Sequence, residues 1–329
     1  MRRGRAGWAP LAAGAAVVAL ALLPHALKPY GIYLLSRWAV FAIAAIGLNL
    51  TLGYAGQVSM AQAAFFGIGA YTVALLTTHG WSFWLALPLA TLLGFGIGWG
   101  LGYPALRVQH HYLAFVTLAF TTLAFLVFRN EAWLTGGVFG IDRIPRPSVL
   151  GWSTRPPIAY FRLCLAALVL VLAGTGWLIR SPWGRAFVAL RENPVRALSL
   201  GVDTRAYTLL AFALGAALGG LAGGLHAPLV QFIDPTSFGL GTSLELLLMV
   251  IVGGAGYLLG PLIGALVDVL LPEWLRVTAG WYLISYAILV MALMAFCPSG
   301  ILGLLDRAAR HAAARAPLAG APVGGEAGR

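Results

Sequence analysis

Long apolar runs, broken only by glycine, proline and scattered charges, recur from one end of this sequence to the other. They do not alternate, which excludes a transmembrane barrel, whose strands read as alternating segments of about ten residues. In a bilayer such runs form helices, because each backbone N–H and C=O must be satisfied within its own segment. Charged residues make up 9% of the chain, against about 25% in a soluble domain. The fold class that follows is all-α: a polytopic helical membrane protein of about ten transmembrane spans, with short or broken helices.

The expected spans are 10–27, 31–52, 57–78, 82–103, 112–129, 158–179, 206–226, 241–256, 260–275 and 280–297. The first follows a basic start, Arg2, Arg3 and Arg5. It reads as a retained helix rather than a signal peptide, because its apolar run is long and another span follows at once. The eighth and ninth are short and split by "GGAGYLLGP", either as two half-length helices or as one interrupted segment. Arginines gather at the N-terminus, at 180, 185, 191, 196 and 205, and at 307, 310 and 315. The positive-inside rule puts all three groups in the cytoplasm, and ten spans satisfy that parity. The 130–157 loop is then external although it carries Arg143, Arg146 and Arg155; long or structured loops cross despite their charge. Residues 1–307 form the transmembrane domain, with a cytoplasmic segment at 181–205, and the Gly/Pro-rich 308–329 reads as a disordered cytoplasmic tail.

The net charge of +11 sits in short loops and at the ends, so it indicates topology and not nucleic acid; membrane lipid is the surrounding partner. Cys164 and Cys297 lie in apolar runs and read as small buried hydrophobes. The only lysine is Lys28, so no phosphate-binding loop is present. Neither a zinc H-E-x-x-H nor a G-x-S-x-G elbow occurs, and the histidines lack metal-ligand spacing. The chain is therefore expected to be no enzyme, with no catalytic residue, metal or cofactor of its own. Arg37, Glu245 and Asp268 fall inside spans, where ionisable groups are functional candidates by default. An ion-coupled secondary carrier stays open on these residues alone.

Two glycine bursts, Gly94-Gly98-Gly102 and Gly215-Gly219-Gly223, repeat at four residues and place glycine on one helix face for close packing. The 181–205 segment starts with the turn Ser181-Pro182-Trp183-Gly184. Asn193 and Pro194 then read as N-cap and first turn of a short helix that stops at Gly201. Ala197, Leu198 and Leu200 give this helix an apolar side suited to a partner's groove. "GYAGQVSMAQAAFFGIGAY", from Gly53 to Tyr71, opens an apolar run with glycines and amides. Gly53 and Gly56 would let the backbone break within the bilayer region, which is tolerated where protein or water shields it. Asn49, Gln57, Ser59 and Gln62 would then satisfy peptide groups and face a polar solute, or bond neighbouring helices. The glycine-broken stretch at Gly253, Gly254 and Gly256 resembles it, although only scattered Gly and Ala match.

"GLNLTLGYAGQVSMAQAAFFGIGAY" from Gly47, "GRAFVALRENPVRALSLGVDTRAYTLLAFALGAALGGLAGGLHA" from Gly184, "LLLMVIVGGAGYLLGPLIGA" from Leu246 and "CPSGILGL" from Cys297 carry a family resemblance. Together the chain resembles the permease family of ATP-driven branched-chain amino acid importers, of the LivM type. It departs from the family pattern at Cys297, where Arg is usual, and at Tyr257, where Ser is usual. The resemblance implies a heteromeric importer in a prokaryotic plasma (inner) membrane, with both termini cytoplasmic. Its partners would be a second homologous permease of the LivH type, two cytoplasmic ATPases holding ATP and Mg, and a periplasmic or lipid-anchored solute-binding protein. It makes 191–201 the coupling helix, with Glu192 and Asn193 against the ATPase and Arg185, Arg191, Ala197 and Gly201 on the same coupling segment. The pathway candidates are Asn49, Gly53, Gly56, Gln57, Ser59, Gln62, Gly253, Gly254 and Gly256. A related permease for urea, short amides or another small polar solute would share the architecture.

Overall fold

The computed structural model describes residues 8–105, 110–149, 152–154, 156–275, 288, 291, 300–304 and 306–307. Most of the expected tenth span, residues 297–299 at the start of the last family signature and the 308–329 tail lie outside the described residues. The fold is helical. α1 spans Trp8–Leu22, α2 Pro29–Asn49, α3 Gln62–Thr78, α4 Phe83–Ala105 and α5 His110–Asn130. A single turn, α6, covers Ala132–Thr135, and α7 runs Pro157–Arg180. Two short helices follow, α8 Pro182–Glu192 and α9 Pro194–Ser199, before α10 Thr204–Val230, α11 Leu240–Gly253 and α12 Gly260–Leu275. The only strands among the described residues are β1 Ser148–Val149 and β2 Trp152–Ser153, an antiparallel pair inside the 130–157 loop.

Five of these helices, counting α2 with the π-turn Leu50–Tyr54 that extends it, are long and apolar enough to cross a membrane. α3, α11 and α12 have 17, 14 and 16 residues. At about 1.5 Å per residue they fall short of a hydrocarbon core of about 30 Å. Irregular backbone makes up the difference for α3, whose helix starts at Gln62 and not at the expected residue 57. The interrupted eighth and ninth segment resolves into two helices, α11 and α12, joined by a turn.

α10 is the central post. It is buried over most of its length and packs against α2, α3 and α4. Glycine makes this possible. A Cβ on Gly94 would meet the Ala216 carbonyl at 2.7 Å, and one on Gly215 would meet the Gly47 carbonyl at 2.6 Å. One on Gly69 or Gly223 would land on the backbone of Gly220 or Phe66. Both glycine bursts are thus helix-packing faces. Gly96 and Gly100, off that stripe, meet nothing within 4 Å.

The two ends of α10 define the two ends of the molecule. α8 and α9 pack by its N-terminus. Beyond its C-terminus, Ile233 bridges Ile141 of the 130–157 loop, and Trp84 at the start of α4 donates from Nε1 to the Ser148 carbonyl at 2.7 Å. The 130–157 loop and the 181–205 segment therefore lie at opposite ends. Two of the loop's arginines have local roles: Arg143 pairs with Asp142 at 3.5 Å, and Arg146 lies over the Tyr160 ring at 5.7 Å.

Candidate functional site

At the α8–α9 end each turn is capped by the residue the sequence supplies. Ser181 Oγ accepts from the Trp183 N–H at 3.2 Å, and Asn193 Oδ1 accepts from the Arg196 N–H at 3.0 Å. Gly201 closes α9 with φ +83°, while the Val202 N–H bonds back to the Ala197 carbonyl at 3.0 Å. Asp203 starts α10 by accepting from the Arg205 and Ala206 N–H groups at 3.0 and 3.1 Å. Phe187 and Leu190 anchor α8, and Phe187 joins a core with Leu50, Tyr54, Leu178 and Ala211. Ala197 turns inward rather than toward a partner, and the apolar face left outside is Val195, Leu198 and Leu200. Val195 is 76% exposed and Leu200 82%. Arg185 and Glu192 are also exposed.

Arg191, the penultimate residue of α8, is exposed, but its guanidinium reaches back to the end of α2. Its guanidinium Nη1 donates to the Gly53 carbonyl in the π-turn that ends α2. Two glycines give it room, and a third packs beside them. Gly56, at φ +70°, would bring a Cβ to 3.3 Å from the Arg191 Cα, and a Cβ on Gly256, at φ +88°, would strike Nη1 itself. A Cβ on Gly53 would strike the Asn49 side-chain oxygen and come within 2.5 Å of the Gly256 nitrogen. Asn49 ties the same place from the other side. Its Oδ1 accepts from the Gly256 N–H at 2.9 Å and its Nδ2 donates to the Tyr257 carbonyl at 3.0 Å. Five residues drawn from two separate sequence sets (Arg191 with Asn49, Gly53, Gly56 and Gly256) therefore form one joint. It connects the coupling segment, the end of α2 and the α11–α12 turn.

Gly253 and Gly254 belong to the helix hairpin beside it. A Cβ on Gly253 would land on the Gly260 carbonyl, and Gly254, at φ +119°, receives Gly300 against its backbone. The Tyr257 phenol reaches Asp306 at 3.4 Å, so this departure from the family pattern is absorbed by a contact with the chain's own C-terminal stretch.

Residues 55–61 run irregularly between the π-turn and α3. Shielding comes from hydroxyls on other helices. The Met60 N–H donates to Thr117 Oγ1 at 3.0 Å, and its carbonyl accepts from Thr121 and Ser243, both at 2.7 Å. The Gln57 N–H returns to the Thr51 carbonyl at 2.8 Å. Gln57, Ser59 and Gln62 are all buried against their own chain. Gln62 Nε2 donates to the Ala44 carbonyl of α2 at 2.9 Å and the Gly215 carbonyl of α10 at 3.2 Å. The exposed member of the stretch is Val58. Thr117, Thr121 and Ser243 escaped the sequence reading. The four-residue spacing of the two threonines on α5 was the available signal, but hydroxyls in apolar helices commonly bond their own preceding turn.

Among the described residues no group of three or more His, Cys, Asp or Glu could hold a metal ion. The family model for the branched-chain amino acid transport system permease component matches residues 31–297. The high-affinity branched-chain amino acid transport system permease protein LivM of Escherichia coli (strain K12) is 34% identical over 287 residues, 80% of this chain and 68% of the relative. LivM of Salmonella typhimurium gives the same identity and coverage. The autoinducer 2 import system permease protein LsrC of Enterobacter sp. (strain 638) is 28% identical over 268 residues, 78% of this chain and 74% of the relative. No solved structure matches.

Proposed function

The chain belongs to the branched-chain amino acid transport system permease family, and on that premise we propose how it couples import to ATP. It is a multi-pass transmembrane permease subunit of an ABC importer for branched-chain amino acids. In our reading it works in a prokaryotic plasma membrane with a second, homologous permease, two cytoplasmic ATPases and an external solute-binding protein. The α8–α9 end and both termini face the cytoplasm. ATP and Mg belong to the ATPases, in keeping with the lack of a phosphate loop in this sequence.

The observation that carries the mechanism is the joint at Arg191. The exposed faces of α8 and α9, with Glu192, Val195, Leu198 and Leu200, offer an ATPase groove a short amphipathic helix. Closure of the ATPase pair moves that helix, and Arg191 carries the movement to the end of α2 and to the α11–α12 turn. Glu192 and Asn193 contact the ATPase, while the Arg191 guanidinium holds the Gly53 carbonyl. The likeness to LsrC favours a second reading, import of another small polar solute, at lower identity than that to LivM.

Affinity purification of the tagged chain from gently solubilised membranes tests the assembly. Recovery of two ATPases and a second permease, with ATP-dependent leucine uptake when the complex is reconstituted with its binding protein, is the expected outcome. Recovery of the chain alone, in a detergent that keeps known importers intact, would overturn it in favour of a self-sufficient carrier.

A further inference from the structure

Residues 55–61 climb from the Arg191 joint into the membrane without forming a helix. At one end Gly56 packs on Arg191, and at the other Met60 is held by Thr117 and Thr121 from the middle of α5. Gln62, where α3 begins, bonds the Gly215 carbonyl in the middle of α10. The stretch therefore crosses the half of the span on the α8–α9 side.

Hydrogen-bond partners run out between those anchors. The Gln57 N–H bonds to the Thr51 carbonyl. The carbonyls of Gly56, Gln57, Val58 and Ser59, and the N–H groups of Gly56, Val58 and Ser59, have no hydrogen-bond partner among the described residues. The nearby hydroxyls are engaged elsewhere: Thr117 and Thr121 go to Met60, and Ser243 serves Met60 and Ala63. Nor is the patch sealed by its own chain. Gly56, which is all backbone, is half-buried, and Val58 is 39% exposed.

Unpaired backbone cannot face hydrocarbon. At membrane depth it occurs where protein buries it or where it lines a water-filled cavity. The exposed faces of intact helices differ. Leu123 on α5 and Leu170 on α7 are 59% and 73% exposed, and their helices bond their own backbone internally. Lipid can meet those faces, whereas the surface at 56–58 must be wet.

We propose that Gly56 and Val58 line the solute's path through this half of the membrane. The free carbonyls and N–H groups answer the charged head of an amino acid, which carries both donors and acceptors. The Val58 side chain meets its apolar branch, which makes Val58 a specificity-determining contact in this chain. The break before α3 gains a use, because a helix through 57–61 would bury the same groups in its own bonds. Gly56 also touches Arg191, so movement of the coupling segment reaches the wall of the path directly. The proposal rests on the importer reading.

The test uses the complete importer in proteoliposomes with its binding protein. Leucine uptake by the parent chain is read first, and its failure with ATP would sink the importer reading itself. Val58→Cys, Leu123→Cys and Leu170→Cys are then treated with a small charged methanethiosulfonate reagent, with and without ATP, and rates are taken above the parent chain's own. The reagent attacks the thiolate, which forms in water and not in hydrocarbon, so Val58→Cys should react about tenfold or more faster than the other two. Its modification should block leucine uptake. Val58→Trp should lower uptake about tenfold or more with all subunits still recovered together, and Val58→Ala should shift the ratio of leucine to valine uptake toward the larger solute. Equal modification of the three cysteines would overturn the proposal. So would an unreactive Val58→Cys in both conditions, which would make this surface a dry contact with the second permease. An unchanged leucine-to-valine ratio in Val58→Ala would remove Val58 from the choice of solute.

Discussion

Arg191 is a cation at the end of a short helix, yet its guanidinium is held by a carbonyl of its own chain. A hydrogen bond to a charged donor contributes about 1.5–3 kcal/mol, and here it joins elements 138 residues apart in sequence. Arg191→Ala should lower ATP-dependent leucine uptake about tenfold or more while the chain still inserts in the membrane. Gly256→Ala should do the same by another route. Its Cβ displaces Nη1, and its φ of +88° strains any side chain, at a cost of about 1–3 kcal/mol. Because both changes break one contact, the double variant should be little worse than either single one. Uptake rates of the four proteins decide it, and additive losses would separate the two residues. The glycines and Asn49 are visible in the sequence as oddities of an apolar run. What they accommodate is not, because nothing local links position 53 to 191 or 49 to 256.

Helices and their breaks follow sequence more closely. Pro29, Pro157, Pro182 and Pro194 all sit in first turns, and Asn193 and Gly201 bound α9 as the capping rules require. The misplaced start of α3 has a physical cause. Residues 57–61 are apolar enough to read as helix, but the hydroxyls of Thr117, Thr121 and Ser243 satisfy the backbone of a different conformation. Close helix contacts should behave accordingly. In Gly264→Leu the first side-chain atom lands on the Met249 carbonyl, so α11 and α12 must part. Overpacking of this kind costs about 1–3 kcal/mol or more, and thermal unfolding in detergent should show a clear loss. Gly96→Ala, with open space around it, should hold or gain about 0.5–1 kcal/mol. The connection after α10 supplies a pH test. Burial alone would raise the Asp234 carboxyl, but bonds from Ser237, Thr236 and nearby backbone N–H groups hold it below the usual carboxylate range. A depressed carboxyl stabilises above its unfolded pKa of about 3.9 and loses that contribution as pH falls through the folded value. Hydrogen-exchange protection over 231–239, taken relative to the intrinsic exchange rate at each pH, should therefore fall below about pH 4 in the parent and change less with pH in Asp234→Asn.

Across the whole molecule, α10 separates an end that leaves Val195, Leu198 and Leu200 exposed from an end closed by loops. The arginine distribution and the parity of ten spans anticipate that the 130–157 and 181–205 segments lie apart, and the packing places them at opposite ends of one helix. The direction of each face is less legible, since a short helix with Ala197, Leu198 and Leu200 reads as one apolar side. Packing divides that side, putting Ala197 into the chain and leaving Val195, Leu198 and Leu200 outside. Exposed leucines on so short a helix contribute nothing to the fold of this subunit, so they are the place to separate assembly from stability. Leu198→Asp and Leu200→Asp should leave the unfolding temperature of the isolated chain within error, because surface changes stay within about 0.5 kcal/mol. The same changes desolvate a carboxylate wherever a partner covers them, at several kcal/mol, and should abolish recovery of the ATPases. Ala197→Asp reverses the pattern: it unfolds the α8–α9 region whether or not a partner is present. If the ATPases still co-purify with the Leu198→Asp/Leu200→Asp chain at parental yield, the docking face lies elsewhere on α8, and Trp183 and Val188 are the exposed apolar residues left to carry it.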